Sequence, residues 1–123
     1  MIERKSGSII NIGSISGIIA NRPQTIMNYC VSKAGVHQLT KNLASEWAPY
    51  NVRVNAIAPG YIETEMTTGE SYKKYIEAWT SMTPIGRFGQ PYEIAGMALY
   101  LASDAGGYAT GSVMVVDGGY TML

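Results

Sequence analysis

The chain has 123 residues, 46% of them hydrophobic and 15% charged, enough for one folded unit that buries about two-thirds of its unfolded surface. Nine basic residues cancel nine acidic ones and no Lys/Arg run occurs, which argues against nucleic-acid and anionic-membrane partners. A single cysteine, Cys30, excludes an internal disulfide, and no stretch has the ~20 apolar residues of a spanning helix or the apolar core of a signal peptide, so a soluble cytoplasmic protein is expected.

Taken in chain order, Ser8–Ile12 is a short β-branched run between Gly7 and Gly13 and reads as a buried strand. From about Asn28 the spacing turns helical, with Val36, Leu39, Leu43 and Trp47 on one stripe, until Pro49 and Asn51 stop it. Val52–Ile57 alternates with period two and ends at Pro59-Gly60, a second strand entering a turn. Residues 61–90 are more polar, apart from a helix expected over Tyr72–Met82. Pro91 suits the first turn of a further helix whose inner face carries Ile94, Met97, Ala98 and Leu101. Val113–Val116 is a third strand, closed by Asp117-Gly118-Gly119. Strands separated by helices imply parallel pairing, hence an α/β fold with a three-strand parallel core.

The sharpest chemical signal is Tyr29-Cys30-Val31-Ser32-Lys33 at the start of the first helix. Positions i and i+4 share a helical face, so phenol and ammonium can point into one site. A nearby cation favours the phenolate, which turns a poor base into a workable general acid/base. Alone, this spacing is equally that of a solvated helix face. Ser14, fifteen residues earlier and just past the first strand, supplies context, because open α/β sheets place ligands at the carboxyl ends of their strands. Ser14 and Ser16 also fit a plain turn. The second strand ends in Pro59-Gly60-Tyr61-Ile62-Glu63-Thr64 at the same edge. His37 has no second histidine or carboxylate pair in ligand spacing and reads as a surface or interface residue. Cys30 reads as a small buried neighbour of Tyr29. Trp79, Met82, Tyr72 and Tyr75 either line a substrate lid or cover the sheet, and Lys73-Lys74 is a solvated face.

The segments Asn11–Gly17, Tyr29–Lys33, Val52–Met66, Pro84–Ala95 and Thr110–Gly119, in this order and spacing, resemble the second half of a short-chain dehydrogenase/reductase of the classical type. Ser16–Gln24, Val36–Met66 and Glu77–Arg87 are most similar to the polyol dehydrogenases of that family. The resemblance implies the C-terminal half of a Rossmann-type doubly wound parallel sheet, with residues 1–123 a partial domain carrying catalytic and substrate-binding parts. It implies interconversion of a secondary alcohol, a sugar polyol first, and its ketone with NAD or NADP, NAD being preferred. Under it Tyr29 exchanges the proton, Lys33 supports its phenolate and bonds the nicotinamide ribose, and Ser14 orients the substrate oxygen. Ser16 and Asn21 are further substrate contacts. Pro59 and Gly60 pack beside the nicotinamide, Ile62 meets its carboxamide through backbone groups, and Thr64 reaches the cofactor amide or phosphate. No metal is implied. The Val113–Val116 strand and the Pro91–Ala102 helix are where such enzymes pair into homo-oligomers.

The family's glycine-rich phosphate loop, Gly-x-x-x-Gly-x-Gly, does not occur in these 123 residues. A chain without it is expected to be a fragment, inactive alone, whose first strand is an exposed parallel edge that invites association. A 3-oxoacyl-carrier-protein reductase is the alternative within the same reaction class, and an inert, oligomerising half-domain the alternative outside it.

Overall fold

The computed structural model describes residues 1–122. Three strands, β1 (Gly7–Ile12), β2 (Val52–Pro59) and β3 (Val113–Val116), form one parallel sheet in the order β1-β2-β3. Gly7 lies opposite Val52 and Ile12 opposite Ile57, while Ala56 lies opposite Val113 and Pro59 opposite Val116. Four α-helices accompany the sheet: α1 (Met27–Trp47), α2 (Glu65–Thr68), α3 (Ile76–Ser81) and α4 (Pro91–Ala102).

Two hydrogen bonds place the long helices. The Ser8 hydroxyl donates to the Leu101 carbonyl of α4, and the Asn11 amide to the Thr40 hydroxyl of α1. Side chains alternate along a strand, and these two positions differ by an odd number, so α4 and α1 cover opposite faces. The central strand is therefore enclosed on both sides: Val54, Asn55, Ala56, Ile57 and Ala58 have no exposed surface.

The strand expected from the period-two alternation is present, and its polar members are engaged by the protein. Of the polar members of the alternation, Asn55 is fully buried and Arg53 part-buried. The Arg53 guanidinium donates to the Leu101 carbonyl at 2.8 Å, and Asn55 donates to the Ala109 carbonyl at 2.7 Å and accepts the Ser112 N–H at 3.1 Å. Both satisfy backbone groups at the end of α4 and in the connection from α4 to β3. Asn55→Ala leaves the Ser112 N–H without its partner and the Ala109 carbonyl with only the longer bond from Arg53, at 3.4 Å. We expect urea unfolding to report a loss of about 1–3 kcal/mol, and no measurable loss would mean that water replaces the amide.

In α1 the buried residues are His37, Thr40 and Ala44, and Leu39, expected on the apolar stripe, is exposed. The inward face is thus turned from the expected stripe, because a histidine and a threonine find hydrogen-bond partners there. His37, expected at the surface or in an interface, is buried within the chain. The helix expected over Tyr72–Met82 is instead a 3-10 turn, Lys73–Tyr75, followed by α3. Helix α4 keeps its expected inner face, with Leu101 fully buried. Its first turn is closed by Glu93, which accepts from the Gln90 N–H at 2.7 Å and binds Arg87 through both oxygens at 2.8 Å. The Arg87 hydrogen bonds, then that from Gln90, pull the Glu93 carboxyl down to about 2.

Candidate active site

Beyond β1 the ladder continues by one bond, from the Gly13 N–H to the Ile57 carbonyl, before the chain turns away at Ser14. Ser14 is extended (φ −169°) and caps the following 3-10 turn, Ile15–Gly17, its hydroxyl oxygen accepting the Ser16 N–H at 3.1 Å. Among the described residues no acceptor takes its hydroxyl proton. Both serines are buried.

Tyr29 and Lys33 sit on the first two turns of α1. The Lys33 ammonium donates to the Ile12 carbonyl at 2.9 Å, which ties the helix to the end of β1, and lies 5.6 Å from the centre of the Tyr29 ring. The phenol itself is part-exposed. Strand β2 delivers the facing wall: Pro59 ends it, and Gly60 turns so closely past Asp117 that a Cβ there would lie 2.7 Å from the Asp117 Cα. Ile62 then forms an isolated parallel bridge with Gly89, and Thr64 caps α2 by accepting the Thr67 N–H.

These segments enclose an open cleft of about 470 Å³ at the carboxyl ends of β1 and β2. All nine residues singled out from the sequence line it: Ser14, Ser16, Asn21, Tyr29, Lys33, Pro59, Gly60, Ile62 and Thr64.

Other lining residues escaped the sequence reading. Tyr61 stacks on Trp79 with ring centroids 4.3 Å apart, and its hydroxyl accepts from the Asn21 amide at 3.1 Å. Burial drives the Tyr61 phenol well above its ordinary value, only partly opposed by the Asn21 bond, so it stays neutral. Asn21 therefore has part of its bonding capacity committed, since its carbonyl also accepts from the Cys30 thiol at 3.4 Å. Cys30 is half-buried rather than buried. Gln24 and Asn28 line the cleft as well; their only signal in the sequence was proximity to Tyr29. Trp79 is 1% exposed and lies within 6.1 Å of Tyr61, Tyr72, Tyr75 and Phe88, which joins the two readings offered for it: it lines the cleft and belongs to the core. Met82 is not among the lining residues. No group of three metal-ligating side chains occurs among the described residues.

The family model described as Enoyl-(Acyl carrier protein) reductase matches residues 1–121. A crystal structure of a short-chain type dehydrogenase/reductase from Mycobacterium marinum superimposes with a TM-score of 0.94 at 47% identity, over 99% of this chain and 48% of that one. The chain belongs to the short-chain dehydrogenase/reductase family. Among curated relatives, galactitol 2-dehydrogenase (L-tagatose-forming) of Cereibacter sphaeroides is 54% identical over 99% of this chain and 48% of its own length. The 3-oxoacyl-acyl-carrier-protein reductase of Thermotoga maritima is 50% identical over 97% of this chain and 47% of its own length. This short-chain dehydrogenase/reductase chain thus spans about half the length of the curated relatives it matches. Its three parallel strands and flanking helices are part of the Rossmann-type sheet of that family.

Proposed function

We propose that this chain is the catalytic portion of an NAD(P)-dependent oxidoreductase that interconverts a secondary alcohol of a sugar polyol and its ketone. The observation that carries this reading is the convergence of Ser14, Tyr29 and Lys33 on one cleft. In oxidation Tyr29 takes the proton of the substrate hydroxyl, and in reduction it returns one to the carbonyl oxygen. Ser14 donates its uncommitted hydroxyl proton to that same oxygen and fixes its distance from Tyr29. Lys33, anchored on Ile12, holds positive charge beside the phenol and offers its remaining N–H groups to a ribose. Ser16 and Asn21 extend the polar wall towards the rest of the substrate.

Pro59, Gly60, Ile62 and Thr64 line the cleft beside Tyr29 and Lys33 and would hold the nicotinamide end of a dinucleotide, Ile62 through its backbone N–H, since its carbonyl and the Thr64 hydroxyl are engaged by Thr67. When bound, the cofactor supplies the hydride acceptor or donor. Nothing in the 123 residues matches a pyrophosphate cradle. We therefore read the chain as a partial domain that needs a nucleotide-binding half to work. NAD is our first choice of cofactor, although two similar solved structures, gluconate 5-dehydrogenases from Beutenbergia cavernae and Burkholderia cenocepacia, hold NADP. We read the whole protein as a cytoplasmic homo-oligomer, in which the exposed Leu99 and Tyr100 of α4 and Val115 of β3 meet a second copy.

A second reading, 3-oxoacyl-carrier-protein reduction, is favoured by the reductase description of the matching family and by the Thermotoga maritima relative. One fusion protein separates the two. The chain is joined to the part of the Cereibacter sphaeroides galactitol 2-dehydrogenase that the match leaves uncovered. We expect cofactor-dependent oxidation of galactitol, sorbitol or mannitol, and no heat of NAD(P) binding from the isolated chain by calorimetry. Reduction of acetoacetyl thioesters with no polyol activity would establish the second reading. Micromolar NAD(P) affinity of the isolated chain would overturn the dependence on another half.

A further inference from the structure

His37 is the sole histidine, takes no part in the proposed proton transfer, and is 6% exposed. It is seated inside the loop that carries Ser14. A Cβ added to Gly13 would lie 2.2 Å from its Nε2, and one added to Gly17 would lie 2.8 Å from its Cε1. The segment Gly13-Ser14-Ile15-Ser16-Gly17 therefore borders the imidazole: a side chain at Gly13 would collide with the ring, and one at Gly17 with both the ring and the α1 backbone at Lys33 and Ala34. The Nε2 atom accepts the Ser14 N–H at 3.4 Å, a long bond but one made by the backbone of the serine that orients the substrate. An acceptor Nε2 requires a neutral ring with its proton on Nδ1.

We propose that His37 is a positioning residue for Ser14: its neutral imidazole holds the Ser14 amide, fixes the direction of the neighbouring hydroxyl, and lets go when it is protonated. This rests on the role given to Ser14 above. The surroundings favour the neutral ring. Burial is the largest influence and lowers the imidazole below its ordinary value; Lys41 and then Lys33 lower it further, and a hydrogen bond with the Gly17 backbone partly opposes them. The two lysines are the charged groups facing the ring, both on its own helix. Loop 13–17, β1 and β3 contribute no titratable side chain, and Arg53 of β2 is committed to the Leu101 carbonyl. As pH falls, the ring keeps its acceptor below the point where a free histidine would lose it. Only then does the Nε2 gain a proton and repel the amide it held.

The test uses the 123-residue chain, so it does not depend on catalysis. Nitrogen-15 NMR of the one imidazole gives its tautomer and midpoint, and hydrogen exchange with mass spectrometry follows the peptide spanning residues 13–17 over the same pH range. We expect the Nδ1–H tautomer above the midpoint. Below it, exchange of that peptide, corrected for the intrinsic pH dependence, should rise about threefold to tenfold, the equivalent of one lost hydrogen bond. His37→Gln, which puts an amide oxygen near the Nε2 position, should keep the protection and remove its pH dependence. His37→Leu should remove the protection of the Ser14 amide at every pH; if that variant fails to fold, the unsubstituted chain and His37→Gln decide. A protonated Nε2 at neutral pH, or an exchange profile that ignores the imidazole midpoint, overturns the proposal. In the joined protein, kcat/KM should fall on the acid side with the His37 midpoint, and the His37→Gln protein should lack that limb. Polyol activity that is intact in both proteins but shows no such limb would refute the positioning role while leaving the reading of the cleft in place.

Discussion

Tyr29→Phe is expected to reduce kcat of the joined protein by about 10²- to 10⁴-fold, with KM for the alcohol changed far less. The phenol ring stays, so packing on α1 is kept; what disappears is the hydroxyl to which the proposal assigns the proton exchange with the substrate oxygen. The ring is part-exposed and its hydroxyl has no protein partner among the described residues, so no buried bond is lost and the fold should be unaffected. That separates chemistry from stability in a single substitution. Ser14→Ala should cost less, because it removes one hydrogen bond to the reacting oxygen rather than the proton carrier. Full activity in Tyr29→Phe would remove the basis for reading the cleft as a redox site.

Trp79→Ala is expected to destabilise the chain by about 3–5 kcal/mol in urea unfolding. The indole is 1% exposed and at the centre of an aromatic cluster, 4.3 Å from Tyr61 and 5.4 Å from Tyr75. Its removal would leave a hole between α3 and the loop that follows β2, and collapse of that loop would move Tyr61 and with it the Asn21 amide. Stability and cleft geometry are therefore coupled at this residue. Trp79→Phe should recover much of the loss, for a reason beyond volume: the indole N–H is buried with no hydrogen-bond partner, and phenylalanine removes that unsatisfied donor. A Trp79→Ala chain that unfolds within about 1 kcal/mol of the original would mean that the cluster is not packed as described.

The parts of the fold that were legible in the sequence are those whose hydrophobic period is strong. Strands β1 and β3 and helix α4 came out within a residue or so, since glycines bracket the strands and Pro91 marks the helix start. Parallel pairing followed from the helices between strands. The reading failed where polar side chains are buried. The alternation of Val52–Ile57 marked a strand but gave no sign that Arg53 and Asn55 serve backbone carbonyls forty to sixty residues away. His37 read as a surface or interface residue, because no local pattern reveals that a loop 23 residues earlier will close around it. The break between Tyr72 and Ile76 has no proline or glycine to announce it; the aromatic side chains that gather on Trp79 accompany it.

The sequence by itself determined the class of fold and the place of Ser14, Tyr29 and Lys33, because strand ends and helix starts are local features and the Tyr29–Lys33 spacing is a property of any helix; its resemblance to the family added the other six of the nine residues found among those lining the cleft. Only the tertiary structure decided that β2 is enclosed on both faces, that Tyr61 and Trp79 join the wall, and that His37 is locked behind Ser14. Each of those depends on contacts between residues far apart in the chain. Such contacts leave no periodic trace, since a buried polar group is stabilised by whichever partner the fold brings to it and not by its neighbours in sequence.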